Sequence, residues 1–282
     1  MLTALDIRNS LTTILGREPG DAEVDSLTAF ATARNYDQAQ LTQTVRSSSE
    51  AVTVDLNGAM ASHLYSIHRA RVALMATVLP PARKILDLGG ANSPLCDSGY
   101  PHTFDELVII DLPPEDRHDE FAGRMVTDRV TPRGPVRVAY TSMTDLAMFD
   151  DDSVDLVWSG QSIEHISIEQ AHDTYREVAR VLHPDGWFCL DTPNRLVTRI
   201  HAEGGMIHPD HQHEYTPSEL IGELEAAGFD VVNSLGVCDM PLTTAAGRID
   251  YRDFAVGAGI TRSLDSAYIQ YHACQLATAA RP

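Results

Sequence analysis

Residues Lys84 to Pro94 read Lys-Ile-Leu-Asp-Leu-Gly-Gly-Ala-Asn-Ser-Pro, an apolar segment that carries an acid and runs into two glycines. A second apolar segment, Glu106 to Asp111, also closes on a carboxylate. Two strands with this pattern border the place where an open α/β sheet binds a nucleoside. Glycines let the backbone approach a ligand, and a carboxylate at the second strand end can hold two ribose hydroxyls. The sequence therefore predicts a site for a nucleoside cofactor.

The overall composition limits the kinds of partner. The chain has 282 residues, 43% of them hydrophobic, and a formal net charge of −19. Such acidity is unsuited to phosphate backbones and anionic lipids, so we expect no nucleic acid and no membrane as partner. No apolar run approaches the roughly 20 residues that span a bilayer. The first residues lack a basic segment followed by an apolar one, so we expect no secretion signal. Four widely spaced cysteines fit a reducing cytoplasm: Cys96, Cys189, Cys238 and Cys274.

Apolar periodicity predicts alternating strands and helices after residue 83. The predicted strands cover residues 85–88, 107–110, 136–140, 154–158, 187–190, 231–237 and 268–276. Predicted helices cover residues 58–79, 168–182 and 217–227, and residues 1–50 are helical as well. This alternation is typical of a mostly parallel sheet with helices on both faces. We predict a Rossmann-like α/β domain with seven strands over residues 58–282, preceded by a helical N-terminal extension over residues 1–57.

Four stretches of the chain occur in an order that is found in one enzyme family. They are Ile85–Gly90, Val108–Asp111, Asp151–Trp158 and Val181–Trp187. Together with the Glu164-His165 pair, their combination resembles the class I S-adenosylmethionine-dependent methyltransferases over roughly residues 60–277. The resemblance implies an enzyme that transfers a methyl group, with S-adenosylmethionine as its cofactor.

The resemblance also implies which residues bind the cofactor. Asp87 and Gly89 match positions that face its methionine half and its ribose, and Asp111 matches the acid that binds the ribose hydroxyls. The expected cofactor-binding residues are Asp87, Gly89, Gly90, Asp111, Leu112, Ser142, Met143 and Gly160. The chain departs from the family pattern at Ala91 and Ser93, where further glycines are usual, and at Ser142, where an aspartate is common. Because Ala91 adds a methyl group, the loop must avoid a positive φ there.

The segment Gly160 to His165 follows the fourth predicted strand, at the edge of the sheet where an acceptor must lie. His165 is the expected general base, because imidazole titrates near neutral pH. The alternative is that Glu164 and His165 only cap the next helix and hydrogen-bond the cofactor loop.

A divalent cation is a second hypothesis for the same edge. Ubiquinone-pathway O-methyltransferases carry an acid-x-x-Glu-His pattern that holds a metal. Glu164 and His165 match this pattern, but Gln161 replaces the acid. With Asp191 as a third ligand, the site could still hold Mg²⁺, and such an ion would lower the pKa of a coordinated hydroxyl.

A histidine-rich segment follows the fifth predicted strand. In similar methyltransferases this region, here residues 196–216, forms a lid over the acceptor. The expected substrate-binding residues are His208, His211, His213 and Tyr215. A polar surface loop with one buried histidine is the alternative. A further insertion, residues 241–265, has no readable motif.

These features predict an O-methyltransferase whose acceptor is a hydroxyl of a sugar or glycan, or of a small natural product. The sugar preference rests on similarity to enzymes that methylate macrolide sugars or methylmannose oligosaccharides. Transfer to nitrogen or carbon of a small metabolite is the first alternative, and a cofactor-binding module without catalysis is the second. We expect a cytoplasmic protein. We also expect a homodimer, only because dimers are the commonest oligomers among soluble proteins.

Overall fold

A computed structural model of the chain describes residues 2–46, 48, 50, 65, 67–117, 126–202, 205–239 and 260–277. The chain divides into two compact units, residues 1–65 with 250–256 and residues 66–249 with 257–282. The predicted domain boundary at residue 57 and most of the predicted insertion at 241–265 lie outside the described residues. Among the helices that are described, none is long and apolar enough to cross a membrane.

The first unit contains three helices, α1 (Ala4–Leu15), α2 (Asp21–Ala33) and α3 (Gln38–Arg46). Helix α1 begins at a capping box, in which the side chains of Thr3 and Asp6 each accept the other's backbone N–H, and it is followed by Gly16 with a φ of 69°. The apolar faces of the three helices bury one core, made of Ile7, Leu11, Leu15, Val24, Ala31, Leu41 and Val45. The helical character predicted for the N-terminal extension is therefore confirmed over the described residues.

The second unit is built on a sheet with nine described strands. They are β1 (Lys84–Leu88), β2 (Glu106–Asp111), β3 (Arg129–Thr131), β4 (Gly134–Tyr140), β5 (Val154–Gly160), β6 (Leu182–Pro193), β7 (Phe229–Asp239), β8 (Ile260–Thr261) and β9 (Ala267–Leu276). Their order across the sheet is β3-β4-β2-β1-β5-β6-β9-β7-β8. Strands β4, β2, β1, β5 and β6 are parallel neighbours, whereas β9 runs antiparallel to both β6 and β7.

The predicted α/β fold is confirmed, but the predicted count of seven strands is wrong. The two additional strands lie at the edges, where β3 pairs with β4 and β8 pairs with β7, both antiparallel. They are 3 and 2 residues long, too short to show an alternation of apolar and polar residues. Four of the eight described strand pairings are antiparallel, so the sheet is mixed rather than mostly parallel.

The helices of the second unit are α4 (67–78), α5 (Ile168–Val181), α6 (Arg195–His201) and α7 (Pro217–Ala226). Helix α5 buries Ala171, Tyr175 and Val178, as its periodicity predicts, in one apolar cluster with Leu220 of α7. Because β1, β2, β4 and β5 are parallel, their carboxyl ends meet at one edge of the sheet. The chain leaves each strand there in a loop, and these loops form the candidate site.

Candidate functional site

A cavity of about 500 Å³ opens at the carboxyl ends of β1, β2, β4 and β5. Its size is that of a ligand pocket, about 300–1,000 Å³. The connections of an open α/β sheet diverge where the strand order reverses, here between β1 and β5, and ligands bind in the crevice that results. The cavity is lined by all eight residues expected to bind the cofactor, Asp87, Gly89, Gly90, Asp111, Leu112, Ser142, Met143 and Gly160.

Two glycines after β1 let the chain turn tightly beside the cavity. Gly89 has a φ of 71° and donates its N–H to the carbonyl of Ile110 at 2.8 Å. A Cβ on Gly89 would lie 2.6 Å from Cβ of Ser162, and one on Gly90 would lie 2.3 Å from Cγ of Asp87. Ala91 is not among the residues with positive φ, as predicted from its methyl group. The departure from the family pattern at Ala91 therefore leaves the loop unstrained.

Replacing Gly89 with alanine should destabilise the protein more than the same change at Gly16. The two glycines have φ values of 71° and 69°, so alanine costs about 1–2 kcal/mol of backbone strain at either position. Only Gly89 also has a neighbour in the way, because an added Cβ at Gly16 meets no atom within 4 Å. Thermal unfolding followed by circular dichroism should give a lower midpoint for G89A than for G16A. Equal midpoints would show that Ser162 moves aside without cost.

Asp87 is buried under the loop that follows β1. Its Oδ2 accepts the N–H of Leu95 at 2.7 Å, a bond that fixes the end of the loop. Burial raises the pKa of Asp87 to about 7, with a smaller contribution from Asp111, and the bond from Leu95 opposes the rise. A cationic ligand in the cavity would favour the charged form of this carboxyl group.

The raised pKa of Asp87 predicts a loss of stability as pH rises. The unfolded chain releases this proton near the ordinary value of 3.8, whereas the folded protein keeps it up to about 7. Between these values the folded state binds more protons, so the free energy of unfolding falls with rising pH, by at most about 4 kcal/mol. Urea unfolding at several pH values should show a smaller fall for D87N than for the unmodified protein. Parallel curves would contradict the burial argument.

Asp111 ends β2 and holds the loop from the opposite side. Its Oδ2 accepts the N–H of Ala91 at 2.9 Å, and its Oδ1 accepts the N–H of Leu112 at 2.8 Å. Nε of Arg117 lies 3.1 Å from the same Oδ1, and the guanidinium lies over the ring of Tyr140. Burial raises the pKa of Asp111, and the bond from Ala91 and the charge of Arg117 oppose the rise. Oδ2 keeps one lone pair for a hydroxyl of a ligand. Arg117 also lines the cavity, and no motif in its segment of the sequence points to this role.

Two further expected cofactor residues, Ser142 and Gly160, line the same cavity. Ser142 follows β4, and its hydroxyl lies 2.8 Å from Oγ1 of Thr144 and accepts the N–H of Thr144 at 3.2 Å. Gly160 ends β5, where an added Cβ would lie 2.7 Å from Nε1 of Trp158. The serine hydroxyl is thus engaged in a local turn, and the glycine is required by the indole that lines the cavity.

A short 3₁₀ helix, Ile163–His165, brings Glu164 and His165 to the cavity. Helix α5 begins later, at a capping box between Ser167 and Gln170, so the alternative that Glu164 and His165 cap this helix is wrong. Oε2 of Glu164 accepts the hydroxyl of Thr192 at 2.9 Å, and burial raises the pKa of Glu164 to about 8. His165 therefore lies beside a carboxyl group whose burial favours the neutral form.

The histidine-rich segment docks directly on the 3₁₀ helix. Backbone N–H groups of Gln212 and His213 donate to the carbonyl of Glu164 at 2.7 and 3.2 Å. The side-chain amide of Gln212 also donates to the carbonyl of His165 at 2.8 Å. These bonds place the lid segment against the edge where the acceptor is expected.

Two of the four predicted substrate residues, His208 and His211, line the cavity with His165. The ring centroids of His165 and His211 lie 4.8 Å apart, and His208 lies 6.0 Å from His165 and 5.3 Å from His211. Three imidazoles thus share one end of the cavity. The segment is a loop in which the side chain of His211 is largely buried, so both its role as a substrate lid and the alternative of a polar surface loop with one buried histidine stay predictions.

The other two predicted substrate residues do not reach the cavity. Tyr215 is 1% exposed and belongs to the apolar core with α7. His213 packs edge-on against Tyr215 and bonds Glu219 at 3.1 Å. An aromatic ring is more stable in that core than in a polar cavity, and its neighbour His213 follows it toward the acidic first turn of α7.

Asp191, predicted as a metal ligand, is paired with a cation of the protein instead. Its two oxygens accept Nε and Nη2 of Arg71 at 2.6 and 2.8 Å, and Oδ1 also accepts Nε2 of Gln161 at 3.2 Å. A guanidinium fork matches a carboxylate at two points, so Arg71 competes with a metal ion for this side chain. The predicted set of Glu164, His165 and Asp191 therefore has its third member in an ion pair, and a metal on these three residues stays a prediction. Sequence spacing gave no signal for Arg71, which lies 120 residues from its partner.

The sequence matches a known family and relatives from two mycobacterial species. Residues 60–234, more than half of the chain, match a family described as Methyltransferase domain. A probable S-adenosylmethionine-dependent methyltransferase of Mycolicibacterium smegmatis is 38% identical over 102 residues, which are 36% of this chain and 38% of that protein. Another from Mycobacterium tuberculosis is 34% identical over 160 residues, 57% of this chain and 53% of that protein. The chain thus spans about half, or less, of the length of these relatives.

Solved structures share the fold. One is a methyltransferase of Thermotoga maritima, described as S-adenosylmethionine-dependent and as a possible histamine N-methyltransferase. It superposes with a TM-score of 0.53 at 14% sequence identity, and the match covers 76% of this chain and 91% of that one. The protein in complex with the Trm112 methyltransferase activator of Haloferax volcanii gives 0.51 at 20% identity, covering 78% and 92%. At these identities the likeness concerns the fold alone.

Proposed function

Because the chain belongs to the methyltransferase domain family, we propose that its cavity binds S-adenosylmethionine and that the methyl group goes to a hydroxyl of a sugar, a glycan or a small natural product. The relatives from both mycobacterial species are described as dependent on this cofactor. The observation that carries the proposal is the meeting of Asp87, Gly89 and Asp111 with His165 in one cavity.

The cofactor fits the charged groups and the unused hydrogen-bond acceptor around the loop after β1. The free lone pair of Asp111 Oδ2 accepts a ribose hydroxyl, and Gly89 and Gly90 leave room for the methionine half. S-adenosylmethionine carries a sulfonium and an ammonium group, and Asp87 supplies a negative charge nearby. Leu112 and Met143 border the adenine. The hydroxyl of Ser142, engaged in its turn with Thr144, gives a weaker adenine contact than the usual aspartate.

A hydroxyl acceptor suits the opposite end of the cavity. His165, His208 and His211 present hydrogen-bonding groups there, whereas Tyr215 of the lid is withdrawn into the core. A site with several convergent polar groups favours a polar acceptor over a flat apolar one. A nitrogen or carbon acceptor of a small metabolite is the alternative.

Methyl transfer needs an acceptor oxygen that lies in line with the bond between methyl carbon and sulfur and that loses its proton. The oxygen–carbon bond forms as the carbon–sulfur bond breaks, and sulfur keeps the electron pair in S-adenosylhomocysteine. His165 promotes the loss of the hydroxyl proton. Its place on the 3₁₀ helix at the cavity wall supports this role.

Assistance by Mg²⁺ has less support than the methyl transfer itself. Mg²⁺ prefers oxygen ligands. Of the three residues predicted to bind it, Asp191 is engaged with Arg71, so Glu164 is the one carboxylate left.

Three other expectations stay predictions: a homodimer, a cytoplasmic location and the absence of nucleic-acid and membrane partners. Light scattering during gel filtration tests whether the protein is a homodimer.

Calorimetric titration with S-adenosylmethionine tests the cofactor half of the proposal. Saturable one-to-one binding is the expected result, and undetectable binding would overturn the proposal that the cavity binds this cofactor.

An acceptor screen with isotopically labelled cofactor tests the acceptor half of the proposal. It covers mono- and oligosaccharides, hydroxylated natural products and amines, and mass spectrometry identifies the products. Methylated sugars or alcohols support the O-transfer proposal. Exclusive labelling of amines or carbon acids would favour the alternative reaction.

A further inference from the structure

Three side chains at the acceptor end of the cavity form a group of metal-ligand donors. One donor atom each of Glu164, His165 and His211 lies within 4.8 Å of the other two. Two donors on a common ion, each about 2.1 Å from it, are separated by roughly 3–4 Å. A small closure therefore brings all three onto one ion. The backbone bond from Gln212 to Glu164 holds the two contributing segments together.

Glu164 gives a second, independent indication of a cation. Its side chain is buried, with 1% exposure, and it lines the cavity. Among the described residues, Oε1 of Glu164 has no hydrogen-bond partner. A buried carboxylate oxygen without a donor is costly, and a bound cation removes that cost.

His211 is oriented as metal-ligating imidazoles commonly are. Its Nδ1 lies 2.7 Å from Oε1 of Glu214, a carboxylate that is itself buried. Glu214 also accepts the hydroxyl of Thr198 and, at 2.7 Å, the N–H of Ile207. A carboxylate on one ring nitrogen fixes the tautomer and the ring plane, and it leaves the other nitrogen to bind a metal. Nε2 of His211 is thus the ligand atom.

We propose that Glu164, His165 and His211 bind one divalent transition-metal ion and that the acceptor hydroxyl completes its coordination. One carboxylate and two imidazoles favour ions such as Zn²⁺ or Co²⁺ over Mg²⁺. The inference rests on the proposed function and refines the role of His165 from base to ligand. Coordination makes the hydroxyl more acidic. Its proton passes to solvent, the oxygen bonds to the methyl carbon, and sulfur keeps the electron pair of the broken bond.

Titration of Co²⁺ into the EDTA-treated full chain tests the site without any need for activity. We expect one equivalent to bind, with a visible absorption band, and Mg²⁺ in large excess not to displace it. H211A and E164Q should each weaken Co²⁺ binding by about 100-fold, and E214Q by about 10-fold. H213A is the matched control, because His213 belongs to the same lid but bonds Glu219 outside the cavity, and its affinity should not change.

Equal affinity of H211A and the unmodified protein for Co²⁺ would overturn the inference, and so would displacement of Co²⁺ by Mg²⁺. Circular dichroism of each variant separates loss of the site from loss of the fold. A parallel titration with S-adenosylmethionine separates the two proposals. Cofactor binding without Co²⁺ binding defeats the metal site alone, whereas Co²⁺ binding without cofactor binding defeats the proposed function alone.

Discussion

Replacing Asp111 with alanine should weaken binding of S-adenosylmethionine by at least about 10–10²-fold. A hydrogen bond to a charged group contributes about 1.5–3 kcal/mol, and Oδ2 of the carboxylate has one lone pair left for a ribose hydroxyl. The substitution also removes the acceptor of the Ala91 N–H and the partner of Arg117, so the loop loses its anchor on β2. Both effects act in the same direction on cofactor affinity, which calorimetry measures directly.

Two controls separate the ribose contact from general damage. D105N removes an exposed acid that pairs with Arg83 outside the cavity, and it should leave the affinity unchanged. D111N keeps one acceptor oxygen of the side chain, so its loss should be intermediate. Adenosine should lose more affinity in D111A than 2′,3′-dideoxyadenosine does, because only adenosine loses the ribose contact as well as the anchored loop. An equal loss for both nucleosides would assign the effect to the loop rather than to the ribose.

The meeting of Asp87, Gly89 and Asp111 at one cavity could be predicted from sequence because local backbone geometry sets their positions. Asp87 lies in β1, Gly89 lies in the turn after it, and Asp111 ends β2. Neighbouring residues in the sequence encode each of these elements. Parallel pairing of β1 with β2 then brings the two acids to the same sheet edge. The same reasoning located the long central strands, whose apolar runs are distinct, and it failed at β3 and β8, which are too short to carry a pattern.

The acceptor half could be predicted only in part, because contacts between distant segments decide it. Asp191 lies at the expected strand end, yet Arg71 of α4 occupies both its oxygens. His211 reaches Glu164 only because the lid docks on the 3₁₀ helix by backbone bonds, which any residue type can form. Spacing along the chain carries no signal for such pairings, and the composition of the lid did not distinguish His211 from His213.

Replacing His165 with alanine should lower kcat by about 10²-fold or more, while the affinity for S-adenosylmethionine changes by less than about twofold. General acid–base groups contribute about 10²–10⁴-fold, and the loss should fall on turnover because His165 is not among the residues expected to bind the cofactor. H213A, which alters the same lid outside the cavity, should keep full turnover. Unchanged turnover of H165A would remove His165 from the mechanism.

The same variant distinguishes a base from a metal ligand. If His165 acts as a base, EDTA has no effect on the unmodified enzyme, and Co²⁺ changes neither the unmodified enzyme nor H165A. If His165 acts as a ligand, EDTA lowers the unmodified enzyme to the level of H165A, and Co²⁺ restores the former but not the latter. The second outcome is the one we expect. Within the part of the chain that the structure describes, no group donates to Oε1 of Glu164, and Glu214 holds the Nδ1 side of His211. A cation completes this arrangement, whereas a base does not require it.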